Sequence, residues 1–127
     1  MTFLFMLISS RYRGPNENFV LVAQITRQLI RAGVSLLTGT DAPAPGATYG
    51  ASVHGEMELL VDDGLTPTQA LAAATSVPAR AFRLSDRGRI SPEMRADLLL
   101  VQGDPTKNIL DTRNIVAVWK SGFRTKR

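Results

Sequence analysis

The chain has 127 residues, 44% hydrophobic and 20% charged, and 15 basic residues against 11 acidic ones leave a net charge of +4. That is one ordinary domain with apolar residues enough for a core. The absence of cysteine excludes disulfides, thiolate metal sites and cysteine nucleophiles together.

Phe3 to Ile8 is a short apolar run that reads as a buried strand. It falls far below the ~20 residues of a membrane span and has neither a basic leader nor a small-residue cleavage site, so a cytoplasmic protein is expected. Arg11 to Asn18 is a polar loop with Gly14-Pro15. Residues 17 to 32 then carry helical periodicity, with Val22, Ile25, Leu29 and Ala32 on the inward face and Gln24, Arg27, Gln28 and Arg31 on the other. Gly33 suits the left-handed residue that ends a helix, and Val34 to Leu37 is a compact apolar strand. Helix, glycine and buried strand in that order predict a parallel sheet with helical connections.

A second helix is predicted over residues 52 to 63, with Val53, Met57, Leu60 and Val61 inward and Glu56, Asp62 and Asp63 in water. Thr66-Pro67-Thr68-Gln69 is a capping box with proline in the first turn, opening a third helix that runs to about Thr75. A short fourth helix follows from Ser76 through Ala79, Ala81 and Phe82. The character changes near residues 84 to 88. Beyond Ser85-Asp86-Arg87-Gly88, Asp97 to Val101 and Ile115 to Trp119 read as strands, with turns at Gly103-Asp104-Pro105 and Ser121-Gly122 and a last short strand after the second. Two segments are therefore expected, residues 1–84 and 85–127. No internal repeat is visible. Lys120, Arg124, Lys126 and Arg127 form a basic tail that reads as a solvated surface; neither nucleic acid nor membrane is an expected partner.

Asp41 follows the strand 34–37 after Thr38-Gly39-Thr40 and precedes a stiff loop of proline, alanine and glycine. In parallel α/β folds the loops at the C-terminal ends of strands converge on one open face and carry the chemistry. A carboxylate there can act as general base, hold a metal, or serve only as a turn residue. His54 is the sole histidine. One histidine and one aspartate fall short of the three or four ligands of a stable metal site, so His54 reads as a residue that caps a helix or holds the 39–50 loop ahead of a ligand. Thr38 and Thr40 could bond a substrate or close the strand end, and Asp97 and Asp104 read as structural. There is no nucleotide-binding glycine loop and no serine nucleophile elbow.

The succession Gly33-Val34, Gly39-Thr40-Asp41, His54-Gly55-Glu56-Met57-Glu58-Leu59, Gly64-Leu65-Thr66-Pro67, Ala70-Leu71, Ala74-Thr75, Pro78-Ala79, Gly88-Arg89-Ile90, Ala96-Asp97-Leu98, Gly103-Asp104-Pro105 and Val118-Trp119-Lys120-Ser121-Gly122 resembles the C-terminal third of the metal-dependent amidohydrolase superfamily, in its imidazolonepropionase-like and prolidase-like branch. Residues 17 to 123 take part. The resemblance implies an α/β fold: the C-terminal part of a (β/α)8 barrel, comprising the last helix–strand unit and following helices, plus strands of a small β-sandwich. It makes Asp41 the catalytic and metal-binding aspartate at the end of the eighth strand, which takes a proton from metal-bound hydroxide and passes it to the leaving group. The metal, a divalent cation with zinc expected, lowers the pKa of bound water to about 7. His54 matches a position near the active-site mouth, where it would contact substrate or support the loop, and Thr40 is a second candidate for substrate or loop contact.

Two departures follow from the same resemblance. The family's other ligands, a His-x-His pair, a mid-barrel lysine or glutamate and two further histidines, have no counterparts here, and a complete barrel needs about 250 residues. Taken alone, the chain is expected to bind no catalytic metal tightly and to lack activity, as a truncated piece of a C–N-bond hydrolase acting on a small-molecule amide, cyclic amide or dipeptide. The family also has glycine where Glu93 stands, so a turn of positive φ there would be strained by about 1 kcal/mol, and a remodelled turn is expected. The alternative function is a non-catalytic assembly module, pairing with a second copy or with a separate N-terminal chain.

Overall fold

The computed structural model of the chain describes residues 3–5, 17–43 and 47–126. Strand β1 (Phe3–Phe5) pairs in parallel with β2 (Ser35–Leu37), in the register Phe3 with Ser35 and Phe5 with Leu37. Helix α1 (Glu17–Arg31) makes the crossover between them, as parallel pairing requires. Residues 6–8 of the expected first strand and 11–16 of the expected polar loop lie outside the described residues, whereas Glu17 and Asn18 already belong to α1. Gly33, at φ 71, ends the helical run in the left-handed region. Consecutive residues Leu36 and Leu37 point to opposite faces of the sheet, yet both are buried, so β2 is covered on both sides.

The cover comes from α2 (Ala51–Asp62), α3 (Pro67–Ala74) and α4 (Ser76–Ala81). The α3 capping box forms as expected: Thr66 accepts from the Gln69 amide, and the Gln69 side chain accepts from the Thr66 amide. Leu36, Met57, Leu59, Leu60, Ala70 and Ala73 make one core with Ile109. Ile109 belongs to a 3-10 helix, Ile109–Arg113, that periodicity did not indicate. The C-terminal segment is an antiparallel sheet in the order β3 (Leu98–Val101), β4 (Ile115–Lys120), β5 (Phe123–Arg124). Gly88 packs so tightly on α4 that a Cβ there would lie 2.6 Å from the Ala79 Cβ.

Three expectations are corrected. On α1 the inward face is set by Thr26, fully buried with its hydroxyl donating to the Val22 carbonyl, together with the partly buried Leu29 and Ile30. Val22, Ile25 and Ala32 are exposed; a hydroxyl that satisfies itself within its own helix can occupy the core side and rotate the apolar stripe outward. Glu56 on α2 and Asp63 just beyond its end are buried rather than wet, each because it has a partner to bond. The turn at Glu93 keeps positive φ, 65, with glutamate in it, so the strain is borne rather than relieved.

Candidate functional site at the end of strand β2

Asp41 stands four residues beyond Leu37, at the C-terminal end of β2. It is exposed, and its φ of 51 lies in the left-handed region, which costs an L-residue about 1–2 kcal/mol, less for Asp and Asn. Two bonds fix the chain just before it. The Thr38 amide donates to the Ala73 carbonyl of α3 at 3.0 Å, and the Gly39 amide donates to Oε1 of Glu56 at 2.8 Å. Successive residues are thus tied to two different helices. Thr40 is partly exposed, and the Thr38 hydroxyl is buried without a hydrogen-bond partner among the described residues.

Glu56 is 2% exposed. Burial pushes its carboxyl up to about 7, while the Gly39 amide pulls the other way. Its Oε2 has no hydrogen-bond partner among the described residues. The sequence held a signal for this position: Glu56 is three residues after Val53 and four before Leu60, on the apolar stripe itself. An acid on that stripe is a candidate for a buried bond rather than for solvent.

His54 is also buried, with no hydrogen-bond partner for Nδ1 among the described residues. Burial lowers its pKa below the ordinary value, and the Arg113 guanidinium lowers it further, so the ring is neutral at pH 7. Two helical residues apart, His54 and Glu56 point about 200° away from each other. Glu56 meets the strand exit, whereas His54 feels Arg113 at the end of the 3-10 helix. Arg113 itself bonds Glu58 at 2.6 Å. The structure therefore joins Asp41 with Glu56 through the strand exit and sets His54 on a different side of α2. Asp97 and Asp104 are structural: Asp97 accepts from the Ser121 amide, and Asp104 accepts from the Thr106 amide.

Among the described residues, no group of three or more histidine, cysteine, aspartate or glutamate side chains could hold a metal ion. An exposed carboxylate and a buried imidazole on another side of a helix do not fit a divalent cation by themselves. No helix among the described residues is long and apolar enough to cross a membrane.

The amidohydrolase family profile matches residues 9–124. An imidazolonepropionase of Streptomyces griseus subsp. griseus is 40% identical over 103 residues, covering 77% of this chain and 26% of that protein. One from Deinococcus deserti is 36% identical over 115 residues, covering 87% of this chain and 29% of that protein. Among solved structures, a Xaa-Pro dipeptidase with methionine bound in its active site matches with a TM-score of 0.74 and 28% identity, covering 84% of this chain and 26% of the other. The chain spans between a quarter and a third of the length of these relatives.

Proposed function

The chain belongs to the amidohydrolase family, in its imidazolonepropionase-like branch, and on that premise we propose that it is the C-terminal segment of a hydrolase of C–N bonds. Residues 1–84 would supply the last part of a (β/α)8 barrel and residues 85–127 strands of a β-sandwich. The substrate would be a small amide, cyclic amide or dipeptide. Asp41 would be the carboxylate that takes a proton from the attacking water and returns it to the leaving nitrogen. Thr40 and His54 would support the mouth of the site. The observation that carries this assignment is the position of Asp41: an exposed acid just past a parallel strand buried on both faces, on a backbone pinned to two helices. The remaining groups, including those that would complete a divalent metal site, would come from outside this chain.

The test is a graft. Residues 17–124 replace the matching C-terminal segment of the Streptomyces griseus imidazolonepropionase, and hydrolysis is measured beside the isolated chain. Turnover by the graft and none by the isolated chain is expected. An inactive but folded graft, or turnover with stoichiometric zinc in the isolated chain, would contradict the proposal.

A second function has a specific observation in its favour. Val20, Leu21, Val22 and Ile25 leave an exposed apolar surface on α1, and among the described residues β2 pairs only with β1. A non-catalytic assembly module, docking a second copy or an N-terminal chain, would use that face. Light scattering decides: a dimer that Ile25→Glu dissociates supports it, and a soluble monomer contradicts self-association.

A further inference from the structure

Glu56 takes no part in the proton transfer assigned to Asp41, yet it is a carboxylate held at 2% exposure with one amide bonded to it. A buried acid with a free oxygen is costly, so its place in the core calls for a gain elsewhere. That gain lies at the strand exit. Residues 38 and 39 are pinned in succession to α3 and α2, and only Thr40 separates this double anchor from Asp41. Asp41 itself holds a disfavoured φ of 51, and such conformations persist where the surroundings over-determine them. Release Gly39, and among the described residues the hydrogen bond to α3 at Thr38 remains as the anchor just before Asp41.

We propose that Glu56 is a positioning residue for Asp41: by gripping the Gly39 amide it sets the path of the strand exit and so the place where the Asp41 carboxylate meets substrate. This rests on the assignment of Asp41 above. The Gly39 amide bonds a carboxyl oxygen held on a packed helix, and a bond made from such a support costs no ordering when substrate arrives. The raised carboxyl pKa agrees with a group whose burial is imposed by the fold.

Amide hydrogen exchange and carbon chemical shifts on the isolated, isotope-labelled chain test the grip directly. In Glu56→Ala, Gly39 exchange should rise about tenfold or more, and the Asp41 Cα and Cβ shifts should move toward unstructured values while the Leu60 amide stays protected. Glu56→Gln, which keeps an acceptor at the same reach, should restore both. Glu56→Asp keeps a carboxyl group, shortens the reach and serves where the alanine variant does not fold; it should behave as Glu56→Ala does. In the graft, Glu56→Asp should lower kcat at least about tenfold with KM within about threefold, because a displaced acid weakens the proton-transfer step more than binding. Unchanged Gly39 exchange and Asp41 shifts in folded Glu56→Ala or Glu56→Asp would overturn the proposal, as would failure of Glu56→Gln to restore them. An inactive parent graft would count against the hydrolase assignment, while the exchange measurements would still decide the role of Glu56.

Discussion

The Gly39 amide and the Glu56 carboxylate, 17 residues apart in the chain, meet at 2.8 Å beneath the end of β2. Because burial holds the Glu56 pKa at about 7 against an ordinary 4.5, the folded chain binds this proton more tightly than the unfolded chain. Between these two values the folded state carries the extra proton, so stability should fall as pH rises through that window and level off above about 7. The loss attributable to Glu56 is bounded by about 3–4 kcal/mol. Urea unfolding from pH 4 to 8 measures it, and Glu56→Gln should flatten that part of the profile.

Glu93 holds φ 65 on an exposed turn. Glycine adopts that conformation without steric cost but adds freedom to the unfolded chain. The net expectation for Glu93→Gly is a gain of up to about 1 kcal/mol, read from denaturant midpoints. A loss would show that the Glu93 side chain contributes a contact that outweighs the strain.

Much of this architecture was legible because it is written locally. Thr66, Pro67 and Gln69 announce the start of α3, Gly33 marks the end of α1, and Val34 to Leu37 is apolar enough to be read as a buried strand. The family resemblance rested on the order of many such short pieces, and the family match bears it out. What escaped was set by tertiary contacts. Thr26 turns its hydroxyl into its own helix and takes the core side of α1. Glu56 and Asp63 were expected in water because acids usually are, but Gly39 and Arg27 come from distant parts of the chain to meet them. The 3-10 helix at Ile109–Arg113 is too short to show a period, although its Ile109 enters the main core.

Arg113 sits at the end of that 3-10 helix and depresses the His54 pKa alongside burial, which is the larger cause. Arg113→Met should therefore raise the His54 pKa while leaving it below its ordinary value. A titration of the imidazole carbon resonances follows this directly. The same substitution breaks the bond to Glu58, whose side chain is 40% exposed; a cost of at most about 1 kcal/mol is expected for so accessible a pair.

Leu60, at 1% exposure, is the centre of the core that joins α2 to β2, α3 and the 3-10 helix. Leu60→Ala should cost about 2–5 kcal/mol, the range for a buried leucine whose cavity collapses only in part. Thermal or denaturant unfolding measures the loss, and the C-terminal strands should lose protection together with the helices because Ile109 shares that core.

The proposed role of Asp41, the proton-handling carboxylate of a C–N hydrolase, is read from kcat of the graft carrying Asp41→Asn beside the graft carrying Asp41. Asparagine keeps the size and tolerates positive φ but cannot take the proton. A fall of about a hundredfold or more in kcat, with the fold intact by circular dichroism, is the expected result. Turnover within a few-fold of the Asp41 graft would rule out that role.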